Sequence, residues 1–210
     1  MSIYKNIKVG IIDYRLNNLF SIHNAFKKIG YNTKIIDVKD KNYNSYDLVV
    51  LPGVGSYDSA MKYIKSYGID NKINNYVSNK NNFFLGICLG MQLLFEKSSE
   101  FKNTKGLGLI KGNVEKLKED KYNPVPHIGW NNFVNIKKNR FNLKKENNFY
   151  FVHSLYCNPK DKDYVISETK YGKNKFCSAI QANNIIGTQF HPEKSGLSGI
   201  NLLKMIKIML

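Results

Sequence analysis

Short apolar runs alternate with helix-like stretches through the first half of the chain, and this alternation restricts the folds open to it more than any other feature. The runs are Lys8–Ile12, Thr33–Val38, Asp47–Leu51 and Phe83–Ile87. After the first comes a helix that Asn17 or Asn18 can cap and Gly30 can end. After the third, stopped by Pro52-Gly53, comes a helical stretch from about Ser56 to Ser78. After the fourth, Leu89 to about Glu96 reads as a helix. Strands alternating with helices build a largely parallel sheet covered on both faces. The second half is richer in strands: Leu107–Lys118, Asn132–Ile136, Phe149–Val152, Tyr164–Glu168, Phe176–Gln181 and Ile185–Phe190. A terminal helix is expected over Gly199–Leu210, with Ile200, Leu203 and Ile206 on one face. The expected class is α/β: a central, mostly parallel sheet flanked by helices, with antiparallel strands added in the second half. At 210 residues, positions 1–210 suit one domain with a sizeable core.

Composition excludes more than it proposes. No apolar run is long enough for a transmembrane helix, and Met1-Ser2-Ile3-Tyr4-Lys5 lacks a secretory apolar region, so a cytoplasmic protein without a membrane partner is expected. The formal charge of +16 raises nucleic acid as a partner. The lysines, however, are scattered among asparagines, and no helix-turn-helix, zinc-finger or aromatic RNA-binding pattern accompanies them. A solvated basic surface, part of which can meet an acidic protein, is the expectation, with no nucleic acid. Cys88, Cys157 and Cys177 are odd in number and widely spaced, which argues against both a disulfide framework and a metal site.

One cysteine has a frame. Phe84-Leu85-Gly86-Ile87-Cys88-Leu89-Gly90-Met91-Gln92 has the form strand, G-x-C-x-G, helix. Glycines two before and two after the central residue allow a tight strand-to-helix elbow, which strains that residue and lifts its side chain clear of the sheet. The sulfur then sits at a helix N-terminus, where the dipole favours the reactive thiolate. Cys157 and Cys177 lack such a frame and read as structural.

A cysteine nucleophile needs a proton acceptor, and the acceptor needs orienting. Of His23, His127, His153 and His191, the last follows an apolar strand in Thr188-Gln189-Phe190-His191-Pro192-Glu193. Pro192 stops that strand, and Glu193 can turn back onto the imidazole.

Together, Gly86–Gln92 and His191-Pro192-Glu193 resemble the class I, triad-type glutamine amidotransferases, a similarity that covers nearly the whole chain. The resemblance implies that family's fold and a catalytic triad of Cys88, His191 and Glu193, with no cofactor. It implies that Cys88 forms a glutamyl thioester, that His191 moves the protons and that ammonia leaves. Pro52-Gly53-Val54-Gly55, on its own an ordinary strand-ending turn, matches the family's oxyanion loop, which assigns Gly53, Val54 and the Leu89 backbone N–H to the oxyanion. Gln92, Glu100, and Ser154 and Leu155 through their backbone, match positions that hold the substrate glutamine.

Pro126-His127-Ile128-Gly129-Trp130-Asn131, Tyr150-Phe151-Val152-His153-Ser154 and the run His191–Gly196 narrow the resemblance to the glutaminase subunits of imidazole glycerol phosphate synthase. That resemblance implies a heterodimer with a (β/α)8-barrel cyclase, ammonia channelled into the barrel, and a partner face including Asn18, Trp130, Tyr150 and Lys194. One run departs from the pattern. Asp13-Tyr14-Arg15-Leu16-Asn17-Asn18 has Arg15 and Asn17 where the family has glycines, and Leu155 replaces a usual tyrosine. These departures leave open an alternative: a paralogue supplying ammonia for amidino groups on surface sugars.

Overall fold

The structure, a computed structural model, describes residues 6–15, 18–40 and 42–210. Its first half runs β1 (Lys8–Ile12), α1 (Leu19–Lys28), β2 (Asn32–Ile36), β3 (Leu48–Leu51), α2 (Tyr57–Ser66), α3 (Ile69–Ser78), β4 (Phe83–Ile87), α4 (Leu89–Leu93) and β5 (Phe95–Ser98). The second half adds β6 (Thr104–Lys105), β7 (Ile110–Lys116), β8 (His127–Asn131), β9 (Asn135–Ile136), β10 (Phe149–His153), β11 (Leu155–Pro159), β12 (Val165–Tyr171), β13 (Asn174–Ala182), β14 (Ile185–Thr188) and α5 (Gly196–Met209).

Strands β2, β1, β3, β4 and β14 lie side by side in that order, every neighbour parallel. Beyond β14 the sheet turns antiparallel through β13, β11 and β7, and β5 then pairs β7 in parallel. β8 and β10 form a separate antiparallel pair. The expected α/β architecture, with its parallel centre and antiparallel additions, is therefore present.

Period-two alternation explains the layers. Leu48 and Val50 of β3 join Ile22 and Phe26 of α1 and Leu202, Leu203 and Ile206 of α5 in one apolar cluster. Val49 and Leu51 join Ile64, Ile69, Ile73 and Tyr76 of α2 and α3 in the other. Neighbouring residues of one strand thus face opposite helix layers, and each large side chain so buried contributes roughly 1.5–3 kcal/mol.

Several boundaries differ from the sequence expectation for identifiable reasons. The stretch from Ser56 to Ser78 is two helices, because Gly68 adopts φ +62 at the N-cap of α3, a left-handed conformation that no helix continues through. α4 ends at Leu93 instead of near Glu96, because Phe95–Ser98 pair with β7 as a strand. β8 falls within the Pro126–Asn131 motif and β11 outside every expected run; both are strands, and β11 lies between β7 and β13. Asn18 occupies the N-cap of α1 without a side-chain cap bond, and Asn17 lies outside the described residues. Gly30, at φ +82, ends α1 as expected. The terminal helix begins at Gly196 and buries Gly199, Leu202, Leu203 and Ile206, leaving Ile200 only partly covered.

Candidate active site

Cys88 is the single residue between β4 and α4, at φ +53 and ψ −111. That backbone costs on the order of 1–3 kcal/mol for a residue with a Cβ. The flanking glycines supply room for it. A Cβ at Gly90 would collide with the Leu51 carbonyl, and one at Gly86 would meet the Gly90 carbonyl at 2.7 Å. The elbow is therefore tight because its neighbours let two backbones touch. The Cys88 amide donates to the Thr188 carbonyl at 2.7 Å, which ties the elbow to β14. Because α4 is only five residues long, its dipole acts on the sulfur over little more than one turn.

His191 follows β14 and is anchored by backbone bonds. Its amide donates to the Tyr150 carbonyl at 2.9 Å, and its carbonyl accepts from the Ser195 hydroxyl at 2.6 Å. Ser195 in turn accepts from the Tyr150 amide at 3.0 Å. Nδ1 of His191 lies 2.8 Å from Glu193 Oε1, with side chains 3% and 2% exposed. Burial alone pushes this imidazole's pKa down. The Cys88 sulfur, as charge and hydrogen-bond partner, and then the Glu193 carboxylate outweigh it, so the pKa stands well above the ordinary 6.5. The imidazolium is therefore the favoured form of His191. Nε2 of His191 is buried without a hydrogen-bond partner of normal geometry, which leaves it available for a proton transfer.

A cavity of about 250 Å³ opens over the sulfur. It is lined by seven of the residues singled out in the sequence: Val54, Cys88, Leu89, Gln92, Glu100, Ser154 and Leu155. Glu100 lies on the loop after β5, and its Oε2 accepts from the Tyr57 amide at the start of α2 at 2.7 Å. The carbonyls of Ser154 and Leu155 are already engaged within the protein, by the Leu117 amide and by His153 and Gln92. Gly53 is not among the residues lining the cavity, and a Cβ there would strike the Tyr14 hydroxyl; Gly55, at φ +98, does line it. The Tyr14 hydroxyl is buried and unpartnered. Burial first, and the Cys88 charge second, raise its pKa.

Three of the expected partner-face residues, Trp130, Tyr150 and Lys194, lie together. Trp130 and Tyr150 are directly opposite in the β8–β10 pair, rings 6.1 Å apart, and Lys194 Nζ stands 5.9 Å over the Tyr150 ring. Trp130 is 57% exposed. α1, with exposed Asn18 at its N-cap, touches the 192–194 turn. In the departing loop, Arg15 holds φ +66, a conformation glycine takes more readily, while its amide bonds Asp13 Oδ1 at 2.8 Å. Leu16 and Asn17 lie outside the described residues.

Three residues escaped the sequence reading. Gln189 is fully buried, and its Nε2 lies 3.7 Å from the Cys88 sulfur; its position two before His191 on an extended segment was the available signal. Ser195 locks the His191 backbone, and Tyr14 underlies Gly53. Cys157 and Cys177 sit opposite each other on β11 and β13, and burial raises both pKa values.

The fold and the framed cysteine thus define a class, and the chain belongs to it: the sequence model described as "Glutamine amidotransferase class-I" matches residues 10–206. Within that class, the imidazole glycerol phosphate synthase subunit HisH of Caldanaerobacter subterraneus subsp. tengcongensis is 42% identical over 198 residues, covering 93% of this chain and 95% of the relative. The HisH subunit of Methanocaldococcus jannaschii is also 42% identical over 198 residues, covering 93% and 96%. Among solved structures, one described as "Structure of PurLQS from Thermotoga maritima" superposes with a TM-score of 0.72 at 19% identity, covering 96% of this chain and 98% of that one. That likeness speaks for the fold alone.

Proposed function

We propose that this chain is the cytoplasmic glutaminase subunit of an imidazole glycerol phosphate synthase, acting as one domain over residues 1–210. The single observation that carries the chemistry is a strained cysteine opening on a cavity, with a buried histidine–carboxylate pair acting on its sulfur. The Cys88 thiolate attacks the carboxamide carbon of glutamine. Negative charge develops on the former carbonyl oxygen, and backbone N–H groups of Gly53, Val54 and Leu89 receive it. His191 gives its proton to the departing nitrogen, ammonia leaves, and a glutamyl thioester remains. Water then adds, deprotonated by His191, and glutamate departs. Glu193 orients the imidazole and stabilises its cationic form without taking the proton. Gln92, Glu100, Ser154 and Leu155 hold the substrate; Glu100 suits its α-ammonium group.

The ammonia acceptor follows from the relatives' names. A barrel cyclase docks on Asn18, Trp130, Tyr150 and Lys194, and channelled ammonia yields imidazole glycerol phosphate and AICAR in histidine biosynthesis. The relatives favour this over the surface-sugar alternative. A free glutaminase running at full speed would waste glutamine, so the Gly53–Gly55 loop is expected to aim its N–H groups fully only in the complex. The test is glutaminase rate with and without the cyclase and its acceptor ligand. An increase of about a hundred- to a thousandfold is expected, the worth of one oxyanion donor. Equal rates with a verified complex present would overturn the gating. Imidazole glycerol phosphate failing to form from glutamine, though formed from free ammonia, would overturn the assignment.

A further inference from the structure

The sulfur has a third polar neighbour that the triad does not use. Gln189 Nε2 lies 3.7 Å from Cys88 Sγ, and the Val152 carbonyl lies 3.8 Å away on another side. A carbonyl can only accept, so Val152 serves the protonated thiol. An amide nitrogen donates, so Gln189 serves the thiolate. Which end of the Gln189 amide faces sulfur is therefore the question, and the surrounding bonds answer it.

The Leu155 carbonyl oxygen is a fixed acceptor, and two side chains meet it: Gln92 Nε2 at 3.0 Å and His153 Nδ1 at 2.7 Å. Both must be donors. The same Gln92 nitrogen lies 3.0 Å from Gln189 Oε1, so its second hydrogen goes there. Gln189 then has its oxygen engaged and its nitrogen left for sulfur. Flipping Gln92 would set its oxygen against the Leu155 carbonyl and Gln189 Oε1, and flipping Gln189 would set two amide NH2 groups against each other, both inside a buried interior. On the other branch, His153 carries its proton on Nδ1, so its Nε2 must accept. His127 Nδ1, 3.1 Å away, is the donor. His127 Nε2 accepts in turn from Asn131 Nδ2 at 3.4 Å, which also donates to the Lys170 carbonyl at 3.0 Å. Both imidazoles are thus neutral with the proton on Nδ1. Burial agrees, pushing the His127 pKa down to about 4 and that of His153 to about 3. Gln92, Gln189, His127 and His153 are each at most 5% exposed.

We propose that Gln189 is a hydrogen-bond donor to the Cys88 thiolate, held in that sense by Gln92, whose nitrogen is fixed by the Leu155 carbonyl, an acceptor that His153, backed by His127 and Asn131, holds from its other side. Gln189 touches the reacting atom. The histidines act through others and are positioning residues. The inference rests on Cys88 being the nucleophile of the proposed reaction, but its test does not require turnover.

The test is the pH dependence of Cys88 alkylation by iodoacetamide in the isolated full chain, with labelled peptides identified by mass spectrometry. The other groups facing Cys88 are His191 with Glu193 behind it, Tyr14 after β1, Cys157 on β11, His153 on β10 and Glu100 across the cavity. All remain in the Gln189 variants, so the difference from wild type isolates the amide. Gln189→Met should raise the alkylation midpoint by about one pH unit, a tenfold slower reaction below the midpoint. Gln189→Glu keeps the size but replaces the donor with an acceptor, and should raise it further. His153→Leu should raise it in the same direction. His153→Asn, whose amide nitrogen replaces Nδ1, should restore the wild-type midpoint. An unchanged midpoint in natively folded Gln189→Met would overturn the proposal; should that variant not fold, an unchanged midpoint in Gln189→Glu overturns it alone. Equal midpoints for His153→Leu and wild type would overturn the chain beyond Gln92. Absent glutamine turnover with a normal, Gln189-dependent midpoint would instead sink the proposed function and leave this inference standing.

Discussion

His191 and His153 are buried near the same cysteine, and burial disfavours the charged form of both, yet the two stand in opposite protonation states. His191 has the Cys88 sulfur on one side and Glu193 2.8 Å away on the other, and these charges raise its pKa. His153 has a carbonyl and a neutral imidazole as partners, and its pKa falls to about 3. A backbone carbonyl offers a dipole where a carboxylate offers a full charge, and in a low-dielectric interior only the latter outweighs desolvation. The cysteines repeat the lesson. Cys88 sits on a strained elbow beside His191, whereas Cys157 and Cys177 face each other in the sheet among apolar neighbours that favour the thiol.

The largest expected effect separates the cysteines. Cys88→Ala should abolish glutamine-dependent turnover while ammonia-dependent synthesis by the complex survives; glutamine-dependent activity at the wild-type level would break the contrast at its root. A glutamine-analogue electrophile should label Cys88 to completion and leave Cys157 and Cys177 unmodified, as mapped by peptide mass spectrometry. Labelling of all three at similar rates would mean that burial and backbone strain do not distinguish them.

Next come the two members of the charged pair. His191→Asn removes the proton carrier and should be the more damaging substitution. Glu193→Gln keeps the imidazole in place without its counter-charge and should leave measurable residual turnover, within the roughly 10⁴-fold loss that removal of an orienting carboxylate causes elsewhere. Rates at saturating glutamine decide the ranking, and the reverse order would contradict the roles assigned.

The smallest effect tests the neutral pair through stability. His127 and His153 have folded-state pKa values of about 4 and about 3, below the ordinary 6.5. The unfolded chain therefore binds more protons than the folded one as pH drops below 6.5. The stability contribution is full above 6.5 and is lost as pH falls toward 4 and then 3, at about 1.4 kcal/mol per pH unit for each histidine. Urea unfolding of the isolated chain between pH 7 and pH 5 should show this loss, and His127→Phe should remove one proton's share of the slope. An identical slope in His127→Phe would mean that His127 is already charged in the folded protein.

The parallel half of the fold was readable from the chain, and so were the framed elbow at Cys88 and the contact between His191 and Glu193. Apolar runs alternating with helical stretches specify buried strands between helices, because both faces of a parallel strand must be covered. The G-x-C-x-G frame carries part of its own geometry, since a Cβ at Gly86 would meet the Gly90 carbonyl, whereas the clash that demands Gly90 is with the Leu51 carbonyl on the neighbouring strand β3. Glu193 reaches His191 from two residues away, so that pairing too is local. What the tertiary structure alone decided was long-range. Strand β11 and the pair of β8 with β10 depend on partners distant in sequence, and β5 replaces the end of a helix because it meets β7. Gln189 reaches Cys88 across 101 positions and Gln92 across 97. A buried glutamine has no preferred partner until the fold supplies one, and the direction in which its amide points is set by which neighbours can only accept.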